Sequence, residues 1–352
     1  MSSKTIQIHA TNIDGLGAAI VINELLKDLI PKLIESYDHV IVYKSKKISQ
    51  INDQSSKVIY KEYKRILPKS FSRFIEIIAA RFIFAQIPTI TLGDIPLRGI
   101  KNQVLFIQQS NLLKKKVNIY TSTQFSFVVQ RFLFNINKRF IRKIIVQSNV
   151  VKNGLIKSYA IEPNRIIVQP HPISLKSYQL PTKTDHNTKL KLFYPASNYK
   201  HKNYKLIIEL DNNYHLENLI SEILITISEP PNLRIGSIIK ALGTISHQEC
   251  FEYYSTTNCL LFPSFMESYG LPLIEAMYVG IPIIAPRLEY AEWICGSEAI
   301  YFDPNNVESL YDAICVLKQR LSAGWSPNYS KQLEKFPVNW DIVSATYIKA
   351  LI

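Results

Sequence analysis

The chain has 352 residues, 47% of them hydrophobic, which exceeds what one core usually organises and predicts a globular protein of two domains. Its four cysteines match neither a zinc pattern nor a thioredoxin-like pair, so both kinds of site are excluded. The net charge of +13 is uneven, because residues 1–176 carry 27 Lys+Arg against 10 Asp+Glu and the remainder carries 14 against 18.

The basic first part suggests an anionic partner, and charge alone does not say which one. Zinc-finger spacings and aromatic RNA-binding motifs are missing from the sequence, which disfavours nucleic acid and favours a peripheral contact with an anionic membrane surface. The alternative is that lysines such as the run Lys114, Lys115 and Lys116 only form a solvated face. The polar start MSSKTIQIHA does not resemble a secretory signal, and no apolar run reaches the ~20 residues of a membrane span. We therefore expect a cytoplasmic protein at the inner face of the cell membrane.

Short runs rich in Ile and Val alternate with helical patterns along the chain, which is typical of parallel sheets built from strand-helix-strand units. The predicted strands are TIQIHA, HVIVY, TITL, QVLFIQ, KIIVQS and RIIVQP, then KLKLFYPAS, EILITIS, NCLLFPS, IPIIAP and AIYFDP. Helices are predicted after Gly17, around 71–84 and after Asn149. A proline-containing polar stretch at 173–188 is the predicted linker. We thus predict an α/β protein with two doubly wound domains, 1–172 and 189–325, and a terminal helical segment, 326–352, packing back across the domain boundary.

Two loops of the first domain are candidates for ligand contacts, because open parallel sheets bind ligands at the carboxyl ends of their strands. Gly15 and Gly17 lie between the first strand and helix, where small residues let backbone approach a ligand; tight strand-helix packing would explain them equally well. Gln147 and Ser148 follow the strand KIIVQS, where they would face an acceptor, although Ser148 or Asn149 would serve as well as a helix cap.

The loop after NCLLF carries the strongest candidate site. It runs through Glu267 and Gly270 into a helix at Pro272, with Glu275 expected in the first turn. Proline suits a helix start, and the free NH groups there can bind phosphate oxygens. A carboxylate beside a phosphate is favourable only where hydroxyl groups donate to it, and a sugar or ribose supplies those hydroxyls. The alternative is that Glu275 only pairs with the helix dipole and Glu267 is solvated.

This segment resembles the signature of glycosyltransferase family 4, in which two glutamates separated by seven residues stand in an ExxGLPxxEAM frame. The likeness extends backward through LGTISHQECFEYYSTTNCLLFPS and forward through GIPIIAP and EAIYFDPNNVESLYDAI. It implies a retaining GT-B glycosyltransferase, with two Rossmann-like domains facing across a cleft. By this resemblance Glu275 would hold the ribose hydroxyls, Glu267 would contact the transferred sugar, and NH groups at Gly270 and Leu271 would meet the diphosphate. Gly243 and Thr244 would lie near the base.

A lysine in the loop FYPASNYKHKNYKLI can neutralise the leaving diphosphate. The family usually has an Arg and a Lys here, and Lys202 matches the Lys while Ser197 stands where the Arg would be. The alternative for Lys202 is an ordinary surface lysine. After QVLFI the family commonly has a His that positions the donor sugar, and Gln108 or Gln109 stands there instead, so that role is in doubt.

The chain contains no Asp-x-Asp sequence, so a metal-independent site without a cofactor is expected. The predicted function is transfer of a hexose from a UDP- or GDP-linked donor to a saccharide or polyprenyl-diphosphate-linked acceptor of a bacterial surface polysaccharide, O-antigen or capsule. A GT-B sugar-nucleotide epimerase and a non-catalytic partner subunit remain as alternatives.

Overall fold

The computed structural model describes residues 4–13, 15–50, 56–63, 69–109, 112–113, 125–172, 189–214, 216–228, 230, 233 and 236–352. The chain divides into two compact units, Met1–Pro172 together with Phe336–Ile352, and Ile173–Lys335. The predicted linker 173–188 and the lysine run at 114–116 lie outside the described residues.

The first unit is built on a parallel sheet of seven described strands in the order β3-β2-β1-β4-β5-β6-β7. The strands are β1 (Thr5–Ala10), β2 (His39–Lys44), β3 (Val58–Glu62), β4 (Thr89–Thr91), β5 (Gln103–Ile107), β6 (Ile141–Val146) and β7 (Ile166–Val168). The helices are α1 (Leu16–Ser36), α2 (Lys69–Ile78), α3 (Ala80–Ile83), α4 (Phe125–Asn137) and α5 (Asn149–Tyr159).

The final helix of the chain, α12 (Trp340–Leu351), belongs to this first unit. Its Val343 and Tyr347 are fully buried in the same apolar cluster as α1 and strands β1, β2 and β5. Lys32 of α1 also pairs with Asp341 at 2.7 Å. The chain therefore returns to the first unit between Lys335 and Phe336.

The second unit has a parallel sheet of six described strands in the order β10-β9-β8-β11-β12-β13. The strands are β8 (Leu190–Tyr194), β9 (Ile220–Ile225), β10 (Ile239–Ala241), β11 (Cys259–Leu261), β12 (Ile283–Pro286) and β13 (Ile300–Phe302). The helices are α6 (Tyr204–Asn213), α7 (His247–Thr256), α8 (Leu271–Val279), α9 (Glu289–Cys295), α10 (Val307–Ser322) and α11 (Ser330–Leu333).

The prediction of two doubly wound α/β domains is confirmed by these two sheets. Each strand order reverses direction once, between β1 and β4 in the first sheet and between β8 and β11 in the second. Such a switch point leaves a crevice at the carboxyl ends of the two central strands, which is where ligands bind in open parallel sheets.

Two strands and one helix start differ from what the sequence predicted. Strands β3 and β10 were not predicted, because both are edge strands whose residues are largely half-buried or exposed and so lack a strong apolar run. Helix α1 begins at Leu16, so Gly17 lies inside its first turn rather than before it.

Candidate functional site

The loops after β8 and β11 meet at the switch point of the second sheet. The backbone NH of Phe265 donates to the carbonyl of His201 at 2.8 Å, and the Ser264 hydroxyl contacts the same oxygen at 3.2 Å. These bonds tie the 3₁₀ turn at Lys200–Lys202 to the loop that carries Glu267. The two predicted catalytic residues are thereby brought together by the topology, although 65 positions separate them in sequence.

Lys202 and Glu267 form an ion pair, with 2.5 Å between Lys202 Nζ and Glu267 Oε1. Their side chains are 14% and 13% exposed, so the pair is screened less than a surface ion pair. Lys202 Nζ also lies 5.6 Å from the ring centre of Phe262, and its carbonyl accepts the Tyr194 hydroxyl at 2.8 Å. The alternatives in which Lys202 is an ordinary surface lysine and Glu267 a solvated loop residue do not fit this burial.

Helix α8 starts beside this pair. Gly270 caps it in the left-handed region, with φ 73°, and a Cβ there would lie 2.9 Å from Ile294 Cδ1. A side chain at this position would therefore be strained and crowded, which explains why the turn requires glycine. The helix begins at Leu271 with proline following, and the carbonyl of Gly270 accepts the NH groups of Leu273 and Ile274. The NH of Leu271 is therefore the one in this first turn that has no acceptor within the helix, and such an NH can bind an anion.

Glu275 lies in the second turn of α8 rather than in the first, and its side chain is 6% exposed. One carboxylate oxygen is 2.8 Å from His247 Nε2, and the other accepts the Tyr254 hydroxyl at 2.9 Å. The residue is therefore not a helix-dipole partner at the N-terminus. Each carboxylate oxygen accepts one protein donor and retains capacity for a second one.

His247 and Tyr254 are functional candidates that the sequence alone did not reveal. Both belong to α7, and they are seven residues apart on one face together with Phe251, whose ring meets that of His247 edge-on at 5.1 Å. The available signals were this spacing and the capping box of Ser246 and Glu249, which fixes the start of the helix.

The carboxylate of Glu275 raises the pKa of His247, mainly through their hydrogen bond and against the opposing effect of burial. The protonated imidazole is thus favoured beside the carboxylate.

Three other residues predicted for the donor lie on neighbouring loops of the same sheet. Ser197 is exposed in the loop after β8, and Gly243 and Thr244 follow the edge strand β10. Gly243 has φ 71°, and open space surrounds its Cβ position. Their roles toward the donor stay predictions.

Tight strand-helix packing, the alternative explanation for Gly15 and Gly17, does not fit the structure. Gly15 is the N-cap of α1 with an ordinary extended φ of −72°, and a Cβ placed on Gly17 would meet open space. Neither conformation nor close packing demands glycine at these two positions, and their contact with a ligand stays a prediction.

Gln108 and Gln109 are positioned by a buried aspartate. Both backbone NH groups donate to Asp94 Oδ1, at 2.6 and 3.0 Å. Burial raises the pKa of Asp94 to about 6, although these two hydrogen bonds and the charge of Arg73 act in the opposite direction. The Gln108 side-chain amide nitrogen is buried and has no hydrogen-bond partner among the described residues.

Gln147 and Ser148 are buried at the end of β6, with 4% and 3% exposure. The Ser148 hydroxyl accepts the NH of Val151 at 3.3 Å and caps α5, as its alternative interpretation anticipated. Their role toward an acceptor stays a prediction.

Residues 224–320, which include Glu267, Glu275 and His247, match the family model described as "Glycosyl transferases group 1". The likeness to this family covers about a quarter of the chain and lies within the second unit. The matched segment holds the second switch-point loop and the whole of α8, whereas Lys202 precedes it.

Curated relatives match parts of the chain. The O-antigen chain mannosyltransferase RfbU of Salmonella typhimurium is 24% identical over 203 residues, 54% of each protein. The O-antigen chain mannosyltransferase B of Escherichia coli is 29% identical over 72 residues, 20% of this chain and 19% of the relative. The chain thus spans about half, or less, of the length of these relatives.

Solved structures share the GT-B fold with this chain. Sucrose-phosphate synthase from Thermosynechococcus elongatus gives a TM-score of 0.67 at 16% identity, covering 98% of both chains. WaaG, a glycosyltransferase involved in lipopolysaccharide biosynthesis, gives 0.64 at 13% identity, with 97% of this chain and 99% of WaaG covered. Anabaena HepE in complex with UDP-glucose gives 0.60 at 11% identity, with 99% and 97% covered.

Two kinds of feature are absent from the described residues. No three His, Cys, Asp or Glu side chains in these ranges are grouped so that they could hold a metal ion. In the same part of the chain, no helix is both long enough and apolar enough to cross a membrane.

Proposed function

We propose that this protein is a retaining glycosyltransferase that moves a hexose from a UDP- or GDP-linked donor to a hydroxyl of a lipid-linked bacterial surface polysaccharide. The observation that carries the proposal is the Lys202–Glu267 ion pair at the switch point of the second sheet, beside the start of α8. A cation, a carboxylate and the NH of Leu271 at the helix start lie at one strand edge, and together they suit the diphosphate and the sugar of a nucleotide-sugar.

The diphosphate would lie against the first turn of α8, with Lys202 neutralising it. The acceptor oxygen would bond to the anomeric carbon on the face from which the diphosphate leaves. The diphosphate takes the electron pair of the broken bond and receives the acceptor proton. Because negative charge grows on the leaving group, a fixed ammonium stabilises the transition state more than the ground state. Retention of configuration is supported by the family resemblance, and a metal-independent site is proposed with it.

Glu267 would orient the transferred sugar through its hydroxyls, and Glu275 would hold the ribose. Tyr254 and His247 fix the Glu275 carboxylate before the nucleotide binds, since both of its oxygens already accept a hydrogen bond. Because the Glu275 carboxylate is already oriented, it loses little side-chain entropy when the ribose binds, which favours affinity. Ser197 would approach the donor from the loop after β8, with Gly243 and Thr244 near the base.

The polymer is supported by the names of the relatives. Two of them are O-antigen chain mannosyltransferases, and WaaG is described as involved in lipopolysaccharide biosynthesis. A hexose donor linked to UDP or GDP and a saccharide acceptor are proposed for this chain by analogy, and a position at the inner face of the membrane is proposed from the basic charge of residues 1–176. Gln108, Gln109, Gln147 and Ser148, with the loop at Gly15 and Gly17, are the proposed acceptor-side residues.

The test is a donor screen followed by transfer. Binding of UDP- and GDP-hexoses to the full chain is measured first, and the preferred donor is then incubated with lipid-linked saccharide extracted from bacterial membranes. The expected product is an elongated saccharide with the anomeric configuration of the donor. Conversion of the free nucleotide-sugar without acceptor would instead identify an epimerase, and donor binding to none of the panel would refute the proposal.

A further inference from the structure

The first unit exposes an unusual concentration of large apolar side chains. Among the described residues, fourteen large hydrophobic side chains are exposed, and seven of them lie between positions 71 and 83 or at 128 and 132. We call these seven the apolar patch: Phe71, Phe74, Ile75, Phe82, Ile83, Val128 and Phe132. Phe82 is 76% exposed and Phe132 is 61% exposed. Exposed apolar side chains scattered singly are ordinary, whereas a group of this kind marks an interaction surface.

The helices that carry the patch are connected through the core of the first unit. Ile77 of α2 and Leu133 of α4 share one buried cluster with Ile95, which Ile78 and Val129 also contact. Ile78 lies on the same face of α2 as Phe71, Phe74 and Ile75, at helical spacings of three and four residues. On α4, Val129 and Leu133 immediately follow the exposed Val128 and Phe132, and α3 follows directly after α2. The exposed apolar side chains of the patch thus stand on three helices, two of which share a buried cluster.

The stretch of chain that carries the patch is strongly basic. Residues 63–161 contain 17 Lys+Arg and only two acidic residues, Glu76 and Asp94. Both acids are buried, with 0% and 9% exposure, so this stretch contributes no exposed carboxylate in its described part. Arg81 lies 4.3 Å from the ring centre of Phe82, which puts a cation directly beside the most exposed aromatic side chain.

We propose that the apolar patch docks onto an anionic lipid surface, with its phenylalanine rings at the acyl boundary and the surrounding cations on lipid headgroups. A helix face of this composition, apolar and aromatic with Lys and Arg at its margins, binds in the plane of a membrane interface. Anionic headgroups add about 1 kcal/mol for each nearby Lys or Arg, which for one residue is about a fivefold gain in affinity.

Other occupants fit the patch less well. A second copy of this chain would bring two basic surfaces of a protein with net charge +13 into contact, and their repulsion opposes pairing. Nucleic acid would meet the cations, but Ile75, Ile83 and Val128 have no aromatic face for a base to stack on. An acyl layer accepts aliphatic and aromatic side chains alike.

The inference deepens the membrane partner of the proposed function but does not depend on the sugar chemistry. The full chain is sedimented with vesicles of phosphatidylcholine alone and of equimolar phosphatidylcholine and phosphatidylglycerol, at low and high salt. Binding to the anionic vesicles that weakens at high salt is expected, with much weaker binding to phosphatidylcholine alone.

Variants separate the patch from general charge. Phe82→Ser with Phe132→Ser is expected to lower the vesicle partition coefficient about a hundredfold, roughly tenfold for each ring withdrawn from the acyl layer. Arg81→Gln is expected to lower the partition coefficient only on anionic vesicles. The matched control is Val316→Ser with Val338→Ser, two exposed apolar side chains outside the patch, 37% and 87% exposed, which should change nothing.

Equal binding by the parent and the phenylalanine variant would overturn the proposal. So would a concentration-dependent dimer, seen by sedimentation velocity without lipid, that the same variant dissociates. Donor binding by the phenylalanine variant should equal that of the parent. A variant that loses vesicle binding but still binds the donor therefore supports the role of the patch. If the parent fails to bind any donor, that result contradicts the proposed transferase and leaves the lipid-binding proposal standing.

Discussion

The switch points of the two sheets have the same topology and different contents. At the second switch point, Lys202 and Glu267 form an ion pair, and about one-seventh of each side chain is exposed. At the first, His9 Nε2 lies 2.8 Å from Glu76 Oε1 with both side chains essentially inaccessible, and Asp94 accepts two backbone NH groups. The loops after β1 and β4 are also packed tightly there, since a Cβ on Gly93 would lie 3.2 Å from Asn12 Cβ.

The difference separates two uses of a carboxylate. A charge removed from water must be paired and hydrogen-bonded, and such a buried group serves mainly to fix the backbone around it. A paired charge that retains some exposure can also contact a ligand. Glu267 and Lys202 meet that condition, whereas Glu76 is fully buried and Asp94 accepts two backbone NH groups of its own unit.

The largest expected effect follows from removing the ion pair at the second switch point. Lys202→Met or Glu267→Gln should lower kcat for sugar transfer by roughly 10²–10³-fold, the usual effect of deleting one preorganised charge that stabilises a transition state. Steady-state assays with the preferred donor measure it. The exposed neighbours Lys205→Met and Glu308→Gln serve as controls, and an equal loss in them would mean that the effect is not specific to the pair.

A substitution at the first switch point should change the free energy of unfolding and its pH dependence. The pKa of Asp94 is raised from 3.8 to about 6, so the folded protein holds this proton more tightly than the unfolded chain does. Its contribution to stability is present below pH 3.8 and is lost as the pH rises through about 6. Asp94→Asn keeps an oxygen for the NH groups of Gln108 and Gln109 and cannot titrate.

Urea unfolding from about pH 4 to about pH 7 should therefore show the Asp94→Asn variant gaining stability relative to the parent by up to about 3 kcal/mol. The exposed Asp312→Asn change provides the control. A constant difference between variant and parent across this range would show that Asp94 does not carry a raised pKa.

Glu275 should affect donor binding more than turnover. Glu275→Ala removes the acceptor proposed for the ribose, and we expect at least a tenfold increase in the donor dissociation constant, about 1.4 kcal/mol. Calorimetric titration with the preferred donor measures it. Because the change also leaves Tyr254 and His247 without their shared partner, folding is checked by circular dichroism and Glu275→Gln is compared. Exposed Glu252→Ala is the control, and unchanged affinity in both Glu275 variants would exclude Glu275 from the donor site.

The smallest effect concerns the His247–Glu275 pair. The folded-state pKa of His247 is raised above 6.5, so its stabilising contribution is present below that pH and is lost as the pH rises through the raised value. The His247 side chain is 38% exposed, so solvent screening limits the effect to a fraction of about 1 kcal/mol. The melting temperature of the parent should fall slightly more than that of His247→Gln over this interval. If the melting temperatures of parent and variant fall equally over this pH interval, protonation of His247 does not stabilise the pair.

Much of the candidate site was predictable because its residues are local in sequence. Glu267, Gly270, Leu271 and Glu275 fall within one loop and one helix, and the pattern of Gly and Pro at the helix start is a local conformational requirement. The turn assignment of Glu275 was wrong because helix boundaries are poorly defined by pattern alone, and the helix begins before Pro272.

The contacts made by side chains distant in sequence were not predictable. His247 and Tyr254 reach Glu275 across 28 and 21 positions, and Asp94 reaches Gln108 across 14. No local preference encodes such distances, because they depend on how a helix lies on its sheet. The apolar patch was likewise hidden, since Phe74 and Ile77 look equally apolar in sequence, and only packing decides that one is 40% exposed and the other 1%.

The amino-acid sequence was enough to predict the two α/β domains. It also singled out Lys202, Glu267 and Glu275 as candidate site residues. Alternating apolar runs and glycine or proline at turns suffice for these, since they express backbone preferences over a few residues. Tertiary structure alone decided that the loops after β8 and β11 adjoin, that the last helix packs on α1, and that Glu76 and Asp94 are buried. Strand order and burial arise from long-range packing, and they turn separate residues into a site.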